Sequence, residues 1–150
     1  MKLAEALSMR ADLQKKITQL KVRLLNNSKM QEGDKTAEDP VTLLKELDEN
    51  TSLLEDLIRR INLTNCMTKD GDLTLTDMIA KRDMMALKIS ILRDFLNSAS
   101  EKVDRYSNKE IKIISSIHVG DMQKKVDKIS GELRTLDVRI QGLNWNTDLF

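Results

Sequence analysis

Side chains suited to catalysis or metal binding are scarce in this sequence, which has one histidine, His118, and one cysteine, Cys66. Dinuclear metal centres in helical bundles use a Glu-x-x-His motif from each of two helices, and structural zinc sites use several Cys or His ligands, so one histidine excludes both classes. A nucleophilic cysteine needs an adjacent general base, and no sequence motif indicates one for Cys66. Neither a Gly-x-Ser-x-Gly motif nor a Gly-rich phosphate loop occurs. We therefore expect no metal or cofactor. The residues favour a protein that is not an enzyme, although an enzymatic role stays open.

Three polar residues, Arg10, Asn50 and Arg82, interrupt apolar helical stripes at positions that should be buried. In an antiparallel arrangement of four helices, Arg10 and Arg82 fall at a similar height. Counting along the other helices places Asp56 and Asp137 near that level. Because one unpaired buried charge costs about 3–5 kcal/mol, we predict a buried layer of arginine–carboxylate pairs. The layer could control helix register, its arginines could extend to solvent, or it could form an anion or ligand pocket.

A second group of polar residues lies near the end of the second predicted helix and the start of the third. Asparagine and threonine side chains commonly satisfy the backbone groups of helix ends, so capping is one interpretation. A binding site at this end of the protein is the other. The residues concerned are Arg59, Arg60, Asn62, Thr64, Asn65, Thr74, Thr76 and Asp77.

Apolar residues recur at steps of three and four in four segments, which predicts four amphipathic helices. The Asp39-Pro40 pair before the second segment is a typical helix start, because Asp caps well and Pro is tolerated in the first turn. The predicted helices cover about 2–26, 40–65, 75–98 and 118–143. Their matched lengths favour a mainly α fold, an antiparallel four-helix bundle with long coiled-coil-like helices, with residues 1–150 forming one helical domain.

The segment 111–117 is rich in isoleucine and too short for a helix, so we predict a β-strand there. A strand needs a partner for its backbone groups, and residues 28–32 are the expected partner in a short two-stranded β-ribbon. Such a ribbon is only marginally stable alone. It would therefore pack on the bundle or pair with its copy in another subunit.

Composition and charge narrow the partners further. The chain carries 25 Lys and Arg against 24 Asp and Glu, and aromatic residues make up only 3%. A net charge near zero provides no strong field for nucleic acid, and few aromatic rings are available for base stacking, so a nucleic-acid partner is not expected. No run of about 18 apolar residues predicts a membrane span. No secretion signal is recognisable and the lone cysteine suits a reducing compartment, so we expect a cytoplasmic protein.

A series of short motifs extends in order through nearly the whole chain: Arg23-Leu24-Leu25-Asn26-Asn27, Gln31-Glu32-Gly33, Glu38-Asp39-Pro40, Arg60-Ile61-Asn62-Leu63-Thr64-Asn65, Thr74-Leu75-Thr76-Asp77, Lys81-Arg82-Asp83, Arg105-Tyr106-Ser107, Glu110-Ile111-Lys112 and Asn144-Trp145. Together they resemble the septicolysin-like family of small uncharacterised bacterial proteins. The resemblance implies a cytoplasmic, mostly helical bacterial protein without an established activity. It also places a candidate ligand-binding site on the motifs, formed by Arg60, Asn62, Asn65, Thr76, Arg82, Asp83, Arg105 and Tyr106.

Two functional hypotheses follow from these observations. The leading one is a non-enzymatic assembly or interaction module that forms a homo-oligomer, with contacts from Asn50, the ribbon and the spare second apolar lines of the helices. The alternative is a small-ligand-binding or hydrolytic bundle with an Arg/Asn/Asp pocket at one end. A monomer in light scattering at tens of micromolar would contradict the first hypothesis. Divergent directions of Arg60, Asn62 and Arg82 would contradict the second.

Overall fold

The computed structural model describes residues 1–101 and 111–150, and it confirms the predicted mainly α fold class with a small β-ribbon. The described helices are α1 (Leu3–Asn26), α2 (Pro40–Met67), α3 (Leu75–Ser100) and α4 (Val119–Asn146). Between α2 and α3, strand β1 (Lys69–Asp70) pairs antiparallel with strand β2 (Leu73–Thr74). These helices begin within one residue of the predicted starts and end within three residues of the predicted ends.

The chain divides into two compact units. The first unit comprises Met1–Leu75 and Gln141–Phe150, and the second comprises Thr76–Ile140. Each unit has its own set of buried apolar side chains. A single helical domain over residues 1–150 stays a prediction.

In the first unit, α1 and α2 pack against each other as an antiparallel pair. Arg23 near the end of α1 lies 3.5 Å from Glu46 near the start of α2, as an antiparallel arrangement requires. The chain ends also meet within this unit, because the Leu3 N–H donates to the Thr147 carbonyl at 2.9 Å and the Leu149 N–H donates to the Met1 carbonyl at 2.9 Å. The buried side chains of these two helices are Leu3, Ala6, Leu13, Leu20, Leu43, Asn50, Leu57, Ile61 and Thr64.

In the second unit, α3 and α4 also run antiparallel. Arg82 contacts Asp137 at 3.8 Å, and Arg93 further along α3 contacts Ser130 earlier on α4 at 3.3 Å. The apolar stripes that predicted the helices supply the buried contacts, as the spacing of three and four requires. The buried side chains are Met78, Ile89, Leu96, Val126, Leu136 and Ile140.

Side chains close the first turns of the helices as the sequence suggests. The Asp39 carboxylate accepts the Val41 N–H at 3.2 Å and the Thr42 hydroxyl at 2.8 Å. Hydrogen bonding by Thr42 and then by the Val41 N–H holds the pKa of Asp39 below its ordinary value. At the start of α4, His118 Nδ1 accepts the Asp121 N–H at 3.2 Å, so this histidine serves as a local cap.

The prediction of a strand at 111–117 is wrong, and the ribbon lies elsewhere. Residues 111–117 and 28–32 are described without strand pairing. Ile111 and Ile114 are 91% and 72% exposed, and no strand among residues 1–101 and 111–150 packs against them. Without such a neighbour, β-propensity has little effect. The observed ribbon instead forms around Gly71, whose φ of +64° allows the two-residue turn between β1 and β2.

Within the described residues, no helix combines the length and the apolar character that a membrane crossing requires.

Candidate functional site

Arg82 is the best-connected member of the predicted polar layer. Its side chain is 29% exposed on α3, and its Nε and Nη2 atoms both lie 2.9 Å from Asp83 Oδ1. Its Nη1 atom lies 3.8 Å from Asp137 on α4, the carboxylate that the sequence analysis placed near it. A cavity of about 290 Å³ lies beside this pair and is also lined by Leu133 and Arg134. The arrangement holds α3 to α4 by charge, and the cavity presents no nucleophile beside a base.

The other predicted layer residues have separate surroundings. Asn50 is 6% exposed and its amide donates to the Glu46 carbonyl one turn earlier, so it is satisfied within its own helix. Asp56 is exposed and pairs at 2.6 Å with Arg59, also on α2. Arg10 is half-buried on α1, and no hydrogen bond or ion pair joins it to another residue in the described part of the chain. An arginine whose stem lies on apolar surface and whose head reaches water has this environment.

Arg60 and Thr64 hold the last described residue, a role that the sequence analysis did not foresee. Arg60 Nε donates to the Phe150 carbonyl at 2.7 Å. The Thr64 hydroxyl accepts the Phe150 N–H at 3.0 Å and donates to the Arg60 carbonyl at 2.8 Å. Thr64 is fully buried, so its hydroxyl is paired on both sides. The sequence placed Arg60 and Thr64 in the polar group near the end of the second predicted helix, but it gave no signal for their contact with Phe150.

The remaining candidate ligand residues do not gather on one face of α2. Asn62 follows Arg60 by two residues, so their directions differ by about 200° around the helix, and Asn62 is exposed. Asn65 is half-buried near the end of the same helix. In the second unit, Thr76 and Asp83 are exposed on α3. Arg105 and Tyr106 lie outside the described residues.

A polar network closes the loop between α1 and α2, and it was missed by the sequence analysis. Arg23 donates from Nη2 and Nε to Glu38 at 2.6 and 3.1 Å. Hydrogen bonds from Arg23 lower the pKa of Glu38, and the same bonds raise the pKa of Arg23. Asn27, 6% exposed, donates to the Arg23 carbonyl at 2.8 Å and accepts the Glu38 N–H at 2.9 Å. The loop lines an open pocket of about 450 Å³ whose lining mixes charges of both signs, including Lys29, Asp34, Lys35 and Asp39.

The most distinctive exposed feature is a second apolar line on α3. Four side chains at steps of three and four are 60%, 54%, 58% and 42% exposed, namely Met84, Leu87, Ile91 and Phe95. They lie within an arc of about 80° on the helix. The centre of this arc is about 140° from the direction of the buried Met78, Ile89 and Leu96. We call these four residues the α3 stripe.

Comparison with known proteins identifies relatives without a known activity. The model of a family of unknown function, DUF6847, matches residues 10–149. A crystal structure described as that of a functionally unknown conserved protein from Corynebacterium diphtheriae is 41% identical, with a TM-score of 0.91 over 100% of this chain and 99% of the other. No curated protein matches the chain. The resemblance to the septicolysin-like family is therefore wrong, since each motif was short and the matching family is a different one.

Proposed function

Since the chain belongs to DUF6847, a family of unknown function, we propose a role from its exposed surface: it is a non-enzymatic assembly module that forms a homo-oligomer through the α3 stripe. One observation carries the proposal. Within residues 1–101 and 111–150, Met84, Leu87, Ile91 and Phe95 form an apolar line whose side chains are 42–60% exposed.

The α3 stripe differs from ordinary surface apolar residues in its continuity. Single exposed apolar side chains are common, but a contiguous line of large ones marks a contact surface in many proteins. The spacing of three and four matches the contact line of paired helices, in which such residues meet their counterparts on a neighbouring helix. With a formal net charge of +1, two copies of this chain repel each other little. A second copy is therefore a suitable occupant.

The energy available from the α3 stripe indicates a weak complex. Full burial of a large apolar side chain stabilises by about 1.5–3 kcal/mol, so covering four half-exposed side chains on each of two copies contributes roughly 6–12 kcal/mol. Association costs about 4–15 kcal/mol in lost freedom of motion. These magnitudes are similar, so we expect a dimer whose population depends on concentration.

The polar candidates support an assembly role better than a ligand pocket. Arg60 is bonded to the Phe150 carbonyl, and Arg82 is bonded to Asp83. Asn62 lies on the opposite side of α2 from Arg60, so the two do not converge on one ligand. Both arginines of that pocket are thus already engaged by groups of the chain itself.

The proposal is tested by measuring molar mass with light scattering from about 1 μM to about 100 μM. We expect a monomer–dimer transition in the wild-type protein. Leu87→Lys should give a monomer at every concentration, because it places a charge in the apolar line. Leu53→Lys is the matched control, since Leu53 is 51% exposed on α2 and lies outside the α3 stripe. A wild-type monomer at all concentrations, or equal effects of the two substitutions, would overturn the proposal.

A further inference from the structure

We propose that Arg93 of α3 and Arg134 of α4 form a binding site for a small tetrahedral oxyanion, a phosphate group. The inference goes beyond the proposed homo-oligomer and does not depend on it. Around α3, Arg93 points about 120–180° away from each member of the α3 stripe, so the site and the stripe lie on different faces of the helix.

Arg93 directs its guanidinium group to α4 without reaching a carboxylate there. Its Nη2 atom donates to the Ser130 hydroxyl at 3.3 Å, and within residues 1–101 and 111–150 no acidic side chain forms an ion pair with it. Asp94 follows Arg93 directly and points about 100° away around the helix. A guanidinium group has five N–H donors, so one long bond to a neutral hydroxyl leaves most of them for a ligand or water.

Arg134 brings a second guanidinium group to the same turn of α4. Its Nη2 atom lies 3.7 Å from the position that a Cβ atom on Gly131 would occupy, and Gly131 directly follows Ser130. In the described part of the chain, no hydrogen bond or ion pair engages the Arg134 side chain. Glu132 is two positions from both Ser130 and Arg134, so it points about 160° away from each. Two cationic groups, one from each helix, thus lie beside consecutive residues of α4.

The other acidic side chains near this turn of α4 have partners of their own. Asp127 accepts the Gln123 amide at 2.9 Å. Asp137 lies 3.8 Å from Arg82. The turn between these two carboxylates therefore has a local excess of positive charge, although the net charge of the whole chain is only +1.

Two guanidinium groups beside a hydroxyl suit a tetrahedral oxyanion. A phosphate group accepts charge-assisted hydrogen bonds, and the planar fork of arginine matches its oxygen atoms. Gly131 leaves open space beside the two groups, because within the described residues an added Cβ would meet only Arg134, at an ordinary contact distance. Glycine is unfavourable in a helix interior, and packing within the described chain does not require it here. The open space is available to the anion.

A neighbouring cavity leaves room for a larger ligand that carries the phosphate group. Arg134 also lines the cavity of about 290 Å³ that Leu133 and Ala86 border with their apolar side chains. A phosphate group held by Arg93 and Arg134 is therefore either free phosphate or part of a phosphomonoester whose organic portion extends into this cavity. The two sources share the same recognition chemistry.

Nuclear magnetic resonance of the isotope-labelled full chain tests the site. Inorganic phosphate is added at constant ionic strength, so that general screening does not change. We expect saturable shifts of the Ser130 and Gly131 amide signals, with a dissociation constant in the millimolar range because both arginine side chains are exposed. A second titration uses phenyl phosphate. Tighter binding of phenyl phosphate indicates a phosphomonoester, and equal or weaker binding indicates free phosphate. The absence of saturable shifts with both probes would overturn the proposal.

Substitution of the arginines shows whether the two named residues hold the anion. Arg93→Gln and Arg134→Gln should each weaken phosphate binding about tenfold, because each removes one of the two charged donors. Arg10→Gln is the matched control and should change the dissociation constant less than about twofold, because it removes the same charge from the first unit. Circular dichroism checks that all three variants keep their helices. Unchanged binding in either site variant, or equal weakening by all three substitutions, contradicts the assigned site.

Discussion

At the end of α1, buried polar groups meet partners within the chain, whereas along the outer face of α3 large apolar side chains meet water. Asn27 is 6% exposed, and both ends of its amide are hydrogen-bonded. Leu87, on the α3 stripe, is 54% exposed although an apolar side chain gains most by burial. The buried polar groups at the end of α1 are fully accounted for by contacts within the chain. The α3 stripe, in contrast, has exposed apolar surface that could contact another molecule. Substitutions in the first should change folding, and substitutions in the second should change association.

The largest effect is expected in the first unit, at the buried Ile61 of α2. Ile61→Ala should lower the free energy of unfolding by about 2–5 kcal/mol, because Ile61 is fully buried between α1 and α2 and truncation leaves a cavity. Urea unfolding followed by circular dichroism measures the change. The matched control is Leu63→Ala two residues later, since Leu63 is 46% exposed and loses less buried area. Equal losses in the two variants would contradict the packing described for α2.

A smaller effect is expected where the closed loop meets α1. Asn27→Ala should cost about 1–3 kcal/mol, because it removes the side chain that pairs with both the Glu38 N–H and the Arg23 carbonyl. Asn26→Ala is the control, because Asn26 precedes it at the helix end and is exposed. The same urea measurement compares the two variants. An Asn26→Ala effect as large as that of Asn27→Ala would mean that the amide bridge adds nothing specific.

The α3 stripe should make the stability of the protein depend on protein concentration, because it acts through association and not through internal packing. Once the dimer dominates, each tenfold rise in protein concentration should stabilise the wild-type protein by about 0.7 kcal/mol per protomer through mass action. Thermal midpoints from circular dichroism should therefore rise with concentration in the wild-type protein. They should stay constant in Leu87→Lys, which keeps the buried face of α3. A wild-type midpoint that is independent of concentration would remove the contrast between the two regions.

Local signals explain why the helices could be predicted from the sequence. Each stripe repeats within one segment, and the Asp39 cap involves residues no more than three positions away, so neither needs knowledge of the tertiary fold. The contact between Phe150 and Thr64 joins residues 86 positions apart, and no periodic pattern in the sequence indicates such a pair. The strand prediction at 111–117 failed for the same reason, because a strand depends on a partner that composition does not identify.

The candidate site was less predictable than the helices. Asp137 was placed near Arg82 because both positions follow from counting along helices, and the two lie 3.8 Å apart. Counting also placed Asp56 in the layer, but its exposed carboxylate pairs with Arg59 on its own helix. Helix height alone leaves the direction of a side chain undetermined. The sequence analysis expected second apolar lines to make subunit contacts, but it did not identify the four residues of the α3 stripe, because one buried face already accounted for that helix.

The smallest effect, and the one that probes the closed loop most specifically, is the pH dependence contributed by Glu38. Hydrogen bonds from Arg23 lower the pKa of Glu38 in the folded protein. The stabilisation is therefore fully present above the ordinary pKa range of glutamate and is lost as the pH falls through the lowered value. Glu38→Gln should lower the thermal midpoint at neutral pH, and the difference from wild type should shrink towards zero in acid.

Because both side chains are partly exposed, the effect should be smaller than that of Asn27→Ala and should decrease with salt. Glu32→Gln, an exposed position in the same loop, is the control. A difference between Glu38→Gln and wild type that grows on acidification would have the wrong sign for a carboxylate held by Arg23, and the loop would need another explanation for its closure.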